Sequence, residues 1–525
     1  MNTQVLIVGG GVTGVGLARD LALRGVRCVV VEKEDVAAGA SGGNHGLLHS
    51  GARYIGSDPD AARECREENE VLKRLAPHCI EDTGGLFVAM PGDDESYVAD
   101  FPSRCQRCGI SVEPLPVAEA REREPSLSPE IVAAYAVADA TIDPFRLALD
   151  NMAHARTLGA RLLTRTQVAQ FVFQGNRIAT VKLTNTRTGD ETTCTPDIVV
   201  NAAGAWAGKV AGLAGLHLPM VFSKGSMVIS QERWTRRVVN RLRLAADGDI
   251  VVPGGTVSIL GTTSVRVPSP DGVSPEIDEV DAIIDECSLM VPALATARYI
   301  RAYCGVRPLI EQGAQGDDRN VSRGYVLADH EGSGVANLIT ITGGKLTTFR
   351  LMAEKAADLV CRRLGVEEPC RTRREPLPES SEGRWSEAGR GARLWAKEAD
   401  PGDSLLCECE MVPRSAVDDL VATLRDQKEG PVLPAIGLRS RVGKGPCQGN
   451  FCSQRITAHL YHRREVHEKE GIDGMIEFLQ ERWHGKRPLL WGQSLVQYEF
   501  QEALHCGLFG LELHAGRRRS EEGSP

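Results

Sequence analysis

The stretch Val5-Leu-Ile-Val-Gly9-Gly10-Gly11-Val-Thr-Gly14 decides the fold. Its apolar run reads as a buried strand that ends in Gly-x-Gly-x-x-Gly, and an amphipathic helix begins at once. A second apolar run, Cys28-Val29-Val30-Val31, ends on Glu32. Strand, glycine turn, helix, second strand and terminal acid together make a βαβ dinucleotide fingerprint, so the chain is expected to be α/β with a Rossmann-type domain. Gly9 permits the tight turn, Gly11 lets a pyrophosphate approach the backbone, and Gly14 lets the helix lie close on the sheet. The pyrophosphate would rest on the unpaired N–H groups and positive end of the helix. Glu32 stands where a carboxylate accepts a ribose hydroxyl. The fingerprint alone does not separate FAD from NAD.

A chain of 525 residues has room for two to four domains and an ample core. Apolar residues at 42% and charged residues at 25% suit a soluble globular protein. The net charge of −9 argues against nucleic-acid binding, so an anionic substrate must be met by a local basic cluster. No run of about 18 apolar residues suggests a transmembrane helix, and a fingerprint starting at residue 5 leaves no space for a signal peptide. Fifteen cysteines in a cytoplasmic-looking chain should be mostly reduced and structural. Cys105-Gln-Arg-Cys108 falls at the end of a helix rather than at its start, which favours a structural role over a redox one.

Outward from the fingerprint, residues 36–55 are small and polar and read as a loop pressed against something. Residues 60–75 read as a charged helix, and Asp143-Pro144 caps a helix running to about Leu158. Strand-like runs at 162–173, 177–183 and 191–194 precede Ile198-Val-Val-Asn-Ala-Ala-Gly204, a strand ending in small residues. Residues 338–351 hold another strand, a Gly-Gly turn and a helix to about Leu364. Residues 371–399 read as a polar linker, 400–460 as a compact cysteine-bearing unit, and 461–525 as helices with a charged tail.

Three motifs agree with one family. The fingerprint, the loop His45-Gly-Leu-Leu-His49-Ser-Gly-Ala-Arg53-Tyr54 and Gly343-Gly-Lys-Leu-Thr-Thr348 resemble FAD-dependent glycerol-3-phosphate dehydrogenases. The added cysteine unit resembles that of the A-subunit branch of the anaerobic bacterial enzymes. The resemblance implies FAD and a D-amino-acid-oxidase-like substrate domain. The oxidoreductase would cover 1–370, its FAD-binding parts near 1–80, 150–215 and 331–370 and its substrate parts near 81–149 and 216–330. It implies that Gly9, Gly11, Gly14 and Glu32 hold the ADP half of FAD, and that Ser41, Asn44 and His45 line the way to the flavin. Val168 and Ala203-Gly204 should pass beside the nucleotide, with Gly344 and Lys345 near the pyrimidine edge.

The same resemblance assigns Arg53, Tyr54, Arg307, Arg323 and Lys345 to the substrate. Glycerol 3-phosphate is a dianion on a secondary alcohol, and Arg offers planar, permanently charged donors for it. Arg307, within the apolar run Gly305-Val-Arg-Pro-Leu309, is the clearest candidate. Lys345 or Arg307 would steady the developing alkoxide while hydride moves to flavin. His45, His49 and His330 are the candidate bases, with His45 placed first because it adjoins the presumed flavin loop.

Cys407-Glu-Cys409 and Cys447-Gln-Gly-Asn-Phe-Cys452 offer four thiolates, with Gly443, Gly445 and Gly449 nearby to admit backbone N–H groups. Four cysteines match the ligand count of a [2Fe–2S] centre, and the pattern resembles the bacterioferritin-associated-ferredoxin-like module. Zinc uses the same thiolates, and unliganded thiols are the third reading. Met475, Ile476, Phe478, Leu479 and Trp483 form a stripe that suits core packing or a neighbouring subunit. The expected activity is oxidation of glycerol 3-phosphate to dihydroxyacetone phosphate, with electrons leaving through iron–sulfur chemistry and partner subunits to a membrane quinone. Such an enzyme would be cytoplasmic, or peripheral on the cytoplasmic face of the inner membrane through a membrane-anchoring partner. The alternatives are an amino-acid or 2-hydroxy-acid dehydrogenase on the same scaffold, and a relay protein that carries flavin and cluster without substrate chemistry.

Overall fold

The computed structural model describes residues 1–310, 324–398, 400–427, 430 and 432–510. The Asn2–Val8 strand lies at the centre of a sheet with eight strands among the described residues. It pairs in parallel with Cys28–Val31 on one side and Glu191–Asn201 on the other, in the register Cys28, Val5, Ile198. Its residues from Val5 onward are buried, which is why the run is apolar without alternation.

The helix Val12–Leu23 packs on this sheet between Pro144–Thr157 and Phe349–Leu364. Leu17, Leu21, Leu149 and Ala356 close the core beneath it. Asp143 caps its helix as expected, its Oδ1 accepting from Phe145 N at 3.0 Å and Arg146 N at 3.1 Å.

Two details differ from the expectations set by the sequence. The runs at 191–194 and 198–201 are one strand, Glu191–Asn201. Its first half pairs antiparallel with Arg177–Asn185 and its second half parallel with Asn2–Val8. The first half closes a local hairpin whereas the parallel partner is distant in sequence, so the polar first half carries no local sign of continuing into the buried second half. Tyr325–Asp329, assigned to the substrate part, pairs with Leu338–Gly343 in the nucleotide sheet.

A second sheet, of nine strands among the described residues, stands over the first. Its long antiparallel pair Met220–Ser230 and Tyr299–Ile310 sets Ser223 opposite Arg307 and Gly225 opposite Gly305. In the Cys105–Cys108 pair both thiols are buried at a helix C-terminus, and burial pushes Cys105 up to about 12.

The cysteine unit continues past 460. Leu406, Val417, Leu420, Ile456, Met475, Phe478, Leu479 and Trp483 share one core, so the helix Glu470–Lys486 belongs to it. The 475–483 stripe is therefore core, each large side chain contributing about 1.5–3 kcal/mol by burial. The expected linker is tied down: Arg146 reaches Glu379 at 3.0 Å, Arg156 reaches Glu382 at 2.9 Å, and Arg390–Glu398 is a helix. Acids spaced along a polar stretch find basic partners far away in sequence. Among the described residues, no helix is long and apolar enough to cross a membrane.

Candidate active site and cysteine centre

The glycine turn opens into a cavity of about 810 Å³ between the two sheets. Gly9 has φ +116°, and a Cβ there would meet Ala202 O at 2.5 Å; at Gly14 it would meet Gly9 O at 2.0 Å. Both positions therefore exclude any side chain, as the fingerprint requires. Gly11 lines the cavity, whereas Gly14 lies beneath it and sets the helix height. The Val12 N–H donates to Ser41 Oγ at 2.9 Å, which draws the 36–55 loop onto the helix start. Glu32 forms part of the floor, its two oxygens accepting from Gly10 N at 2.7 Å and Glu34 N at 2.9 Å. Burial raises the pKa of its carboxyl. Val168, Ala203 and Gly204 line the same end, where Lys33 Nζ also lies 3.8 Å over the Trp206 ring.

At the other end the wall carries His45, His49, Tyr54, Arg307, Gly344 and Lys345. Tyr54 OH and His49 Nε2 are 3.3 Å apart, and Lys345 Nζ is 4.8 Å over the Tyr54 ring. The His49 N–H donates to Thr347 Oγ1 at 3.1 Å, joining the 45–54 loop to the 343–348 turn. Asp139 braces that loop from behind, accepting from Ser50 N at 2.7 Å. Arg307 lies across Gly225 and donates to Ser223 Oγ, Thr262 Oγ1 and Thr263 O, which fixes the guanidinium plane. Asn44 lines the cavity while its side chain holds the loop, through Ser41 O at 2.6 Å and Gly46 N at 2.8 Å.

Two expected residues stand elsewhere. Arg53 binds buried Asp249 at 2.9 Å and does not line the cavity. Although next to Tyr54 in sequence, it points to the other side of the short Ala52–Tyr54 helix. His330 is buried against Thr340 Oγ1 at 2.9 Å, away from the cavity, and serves the sheet edge. Arg323 lies outside the described residues.

His45 lines the cavity, but its Nδ1 accepts from Leu47 N at 3.2 Å. Burial, with Arg307 and Arg53 adding, holds its pKa down to about 3. It is neutral at working pH, and the accepting Nδ1 leaves the proton on Nε2.

Sequence reasoning missed Thr262, Thr263 and Ser223, the anchors of Arg307, because their pairing is decided across strands. It also missed Asp139, whose partners lie 89 and 101 positions away.

In the cysteine unit the sulfurs of Cys407 and Cys409 are 3.8 Å apart, and those of Cys409 and Cys447 are 3.6 Å apart. Cys452 contacts both Cys407 and Cys447, which closes the ring of four. Neighbouring thiols, and N–H groups of Glu410 and Gly443, hold Cys407 well below the ordinary thiol range. Cys447 is held down in the same way, with Gly449 and Phe451 supplying the N–H groups. Gly445 acts by size, since a Cβ there would meet Cys409 Sγ at 2.6 Å. The same neighbours push Cys409 and Cys452 up, and a ring of four sulfurs with backbone donors aimed at it suits a soft metal centre.

Residues 4–350 match the family model described as FAD dependent oxidoreductase. The chain is similar to the anaerobic glycerol-3-phosphate dehydrogenase A-subunit of Escherichia coli (strain K12), 42% identical and covering 97% of each chain. The A1-subunit of the same enzyme type from Haloferax volcanii is 41% identical over 96% of this chain and 90% of its own. Among solved structures, the Bacillus halodurans glycerol-3-phosphate dehydrogenase complexed with FAD shares the fold. Its TM-score is 0.65 at 22% identity, covering 94% of this chain and 96% of that one.

Proposed function

The chain belongs to the FAD-dependent glycerol-3-phosphate dehydrogenases, in the branch of the anaerobic A-subunits, and from that membership and the cavity we infer its reaction. It oxidises sn-glycerol 3-phosphate to dihydroxyacetone phosphate. The observation that carries this reading is one continuous cavity with a dinucleotide cradle at one end and Arg307, Lys345, Tyr54 and His49 at the other.

The cradle fits FAD: a helix start for the pyrophosphate, Glu32 for a ribose hydroxyl, and glycines where the nucleotide passes closest. Gly9, Gly11, Glu32, Ser41, Val168, Ala203 and Gly204 would hold it, with Gly344 and Lys345 toward its ring. When bound, the isoalloxazine accepts the hydride that leaves C2 of the substrate.

The chain's own groups do the rest. Arg307, its plane set by Ser223, Thr262 and Thr263, presents a fixed positive charge to the phosphate. Lys345, over Tyr54, lies where a cation stabilises oxygen as its negative charge grows. His49 removes the hydroxyl proton. It is chosen over His45 because the Nδ1 of His45 already accepts a hydrogen bond and its imidazole stays neutral down to about pH 3. His330 is too far inside the sheet to serve. His45 instead offers an Nε2–H donor to the cavity wall.

Cys407, Cys409, Cys447 and Cys452 would hold a [2Fe–2S] centre, supported by the backbone N–H groups around the sulfurs. Such a centre passes on one electron at a time, which suits export from a two-electron flavin, through partner subunits, to a membrane quinone. The relatives' designation as A-subunits supports a hetero-oligomer. The last helix supports it too, presenting Val496, Phe500, Leu504 and Leu508 outward beside exposed Trp491 and Phe451. The chain would then meet the cytoplasmic face of the membrane through that partner.

Anaerobic addition of glycerol 3-phosphate to the purified protein should bleach its flavin absorbance, while amino acids and 2-hydroxy acids leave it unchanged. Bleaching by an amino acid instead would overturn the substrate assignment. Two iron and two acid-labile sulfide per chain decide for [2Fe–2S], and zinc without sulfide decides against it.

A further inference from the structure

At the nucleotide end, the mouth of the cavity is lined by Lys33, Trp206, Lys209 and Asp271. The side chains of Lys33, Lys209 and Asp271 are 34%, 62% and 45% exposed, so they form a rim rather than a floor. Three of the four belong to the first sheet. Lys33 stands just past the Cys28–Val31 strand, Trp206 ends the short helix Gly204–Trp206, and Lys209 lies in the next one, Ala207–Gly212. Asp271 comes from the other side. It follows Val265–Val267, a strand of the second sheet paired with residues 222–224.

Asp271 gathers the other three. Its Oδ1 accepts from Trp206 Nε1 at 2.6 Å, its Oδ2 accepts from Lys209 Nζ, and Lys33 Nζ lies 3.8 Å from Oδ1. The Trp206 ring packs on the 36–55 loop at Gly39, where a Cβ would stand 3.3 Å from it. A tight turn aims the carboxylate: Ser269 Oγ accepts from Asp271 N at 3.2 Å, and Gly272 takes φ +70°. Beyond the turn the segment is tied back to the second sheet, Lys224 Nζ donating to Ser274 O at 3.0 Å. The Lys209 ammonium and the Trp206 N–H hold the Asp271 carboxyl below the ordinary carboxylate range, so it stays charged. One exposed ion pair stabilises little on its own. Here a single carboxylate meets two ammonium groups and an indole N–H, and the contacts bridge the two sheets across the mouth.

We propose that residues 268–276 form a strap over the nucleotide end of the cavity, with Asp271 as its catch, and that the strap retains FAD by slowing its passage through the mouth. Asp271 is thus a positioning residue: it holds the rim and takes no part in the redox step. The inference rests on the reading that FAD fills this cavity. A strap acts on the barrier to passage, so releasing it speeds entry and exit alike. Loss of a direct contact to the nucleotide would instead speed exit alone.

The test measures both rates on the full-length protein. Release is read by chasing bound radiolabelled FAD with excess unlabelled FAD, and uptake by the loss of flavin fluorescence when FAD meets the flavin-stripped protein. Asp271→Asn should speed release and uptake about tenfold each, leaving the Kd of FAD and the melting temperature unchanged. Asp271→Glu, which keeps the carboxylate, should restore slow exchange. Added salt should speed release from the unaltered protein more than from Asp271→Asn, because it screens exposed charges. Should Asp271→Asn lower the melting temperature, Lys209→Met takes its place and should speed both rates about threefold. Unchanged rates overturn the proposal, and so does faster release with unchanged uptake, which would make Asp271 a plain contact. A protein that never takes up FAD overturns the strap together with the reading beneath it, whereas full FAD content with unaltered exchange overturns the strap alone.

Discussion

The nucleotide cavity and the cysteine ring are built by opposite means. The first uses regular backbone: a strand, a turn without side chains and a helix start, with Glu32 bound to the turn's own N–H. The second uses side chains at a strand end, at a helix start and on the loops between, with four sulfurs brought together by a small hydrophobic core. Backbone recognition depends on close packing and so on what is missing at Gly9 and Gly14. Side-chain recognition depends on what is present. Damage should therefore spread through the fold in the first case and stay local in the second.

The largest effect should come from Arg307→Ala, which leaves the cradle intact and removes the fixed positive charge proposed to meet the phosphate. Loss of a buried charged partner costs about 2–5 kcal/mol, so kcat/KM for glycerol 3-phosphate should fall about 30- to 4,000-fold while bound FAD is retained. Flavin content and steady-state kinetics measured together check this, and unchanged kinetics would remove Arg307 from the site. Gly14→Ala sets a Cβ against Gly9 O and should lift the helix from the sheet, at a cost of about 1–3 kcal/mol. The protein should emerge with little flavin and a lowered melting temperature. A yellow, fully stable variant would contradict the backbone reading.

Cys452→Ala sharpens the comparison from the other side. Metal content should drop, yet glycerol 3-phosphate should still bleach the flavin, because the oxidoreductase core does not include that loop. If FAD is lost with the metal, the two centres are not independent in folding. The smallest effect is in acid stability. His45 falls from an ordinary 6.5 in the unfolded chain to about 3 in the folded one, so the unfolded state binds the extra proton. Stability from this group is fully present above about pH 6.5 and is lost as pH falls toward 3. His45→Asn should flatten that part of the melting-temperature profile, and an unchanged acid slope would show that His45 is not buried neutral.

Much of the site was legible because motifs tie chemistry to local spacing. The glycine turn, Glu32, the 45–54 loop and the 343–348 turn each carried their residues into one cavity. Arg53 shows where this stops: adjacency to Tyr54 says nothing about which side of a three-residue helix faces the cavity. His45 shows a second limit, since a candidate base and a hydrogen-bonded donor have the same letter in a sequence. Only the Leu47 N–H on Nδ1 separates them. The C-terminal stripe shows a third. Its spacing revealed an apolar face, but whether that face met its own chain or another depended on the core built by residues 405–460.

By itself the sequence determined the βαβ cradle, the helix caps and the pairing of Cys-x-Cys with a second cysteine loop. These are short-range matters of φ, side-chain volume and ligand spacing. Tertiary structure alone decided which cations line the nucleotide cavity, which imidazole nitrogen is already hydrogen-bonded, and that a chamber separates the 42–46 loop from the cysteine loop. Those outcomes depend on contacts between segments hundreds of residues apart, where burial and a competing partner fix each group's orientation and charge.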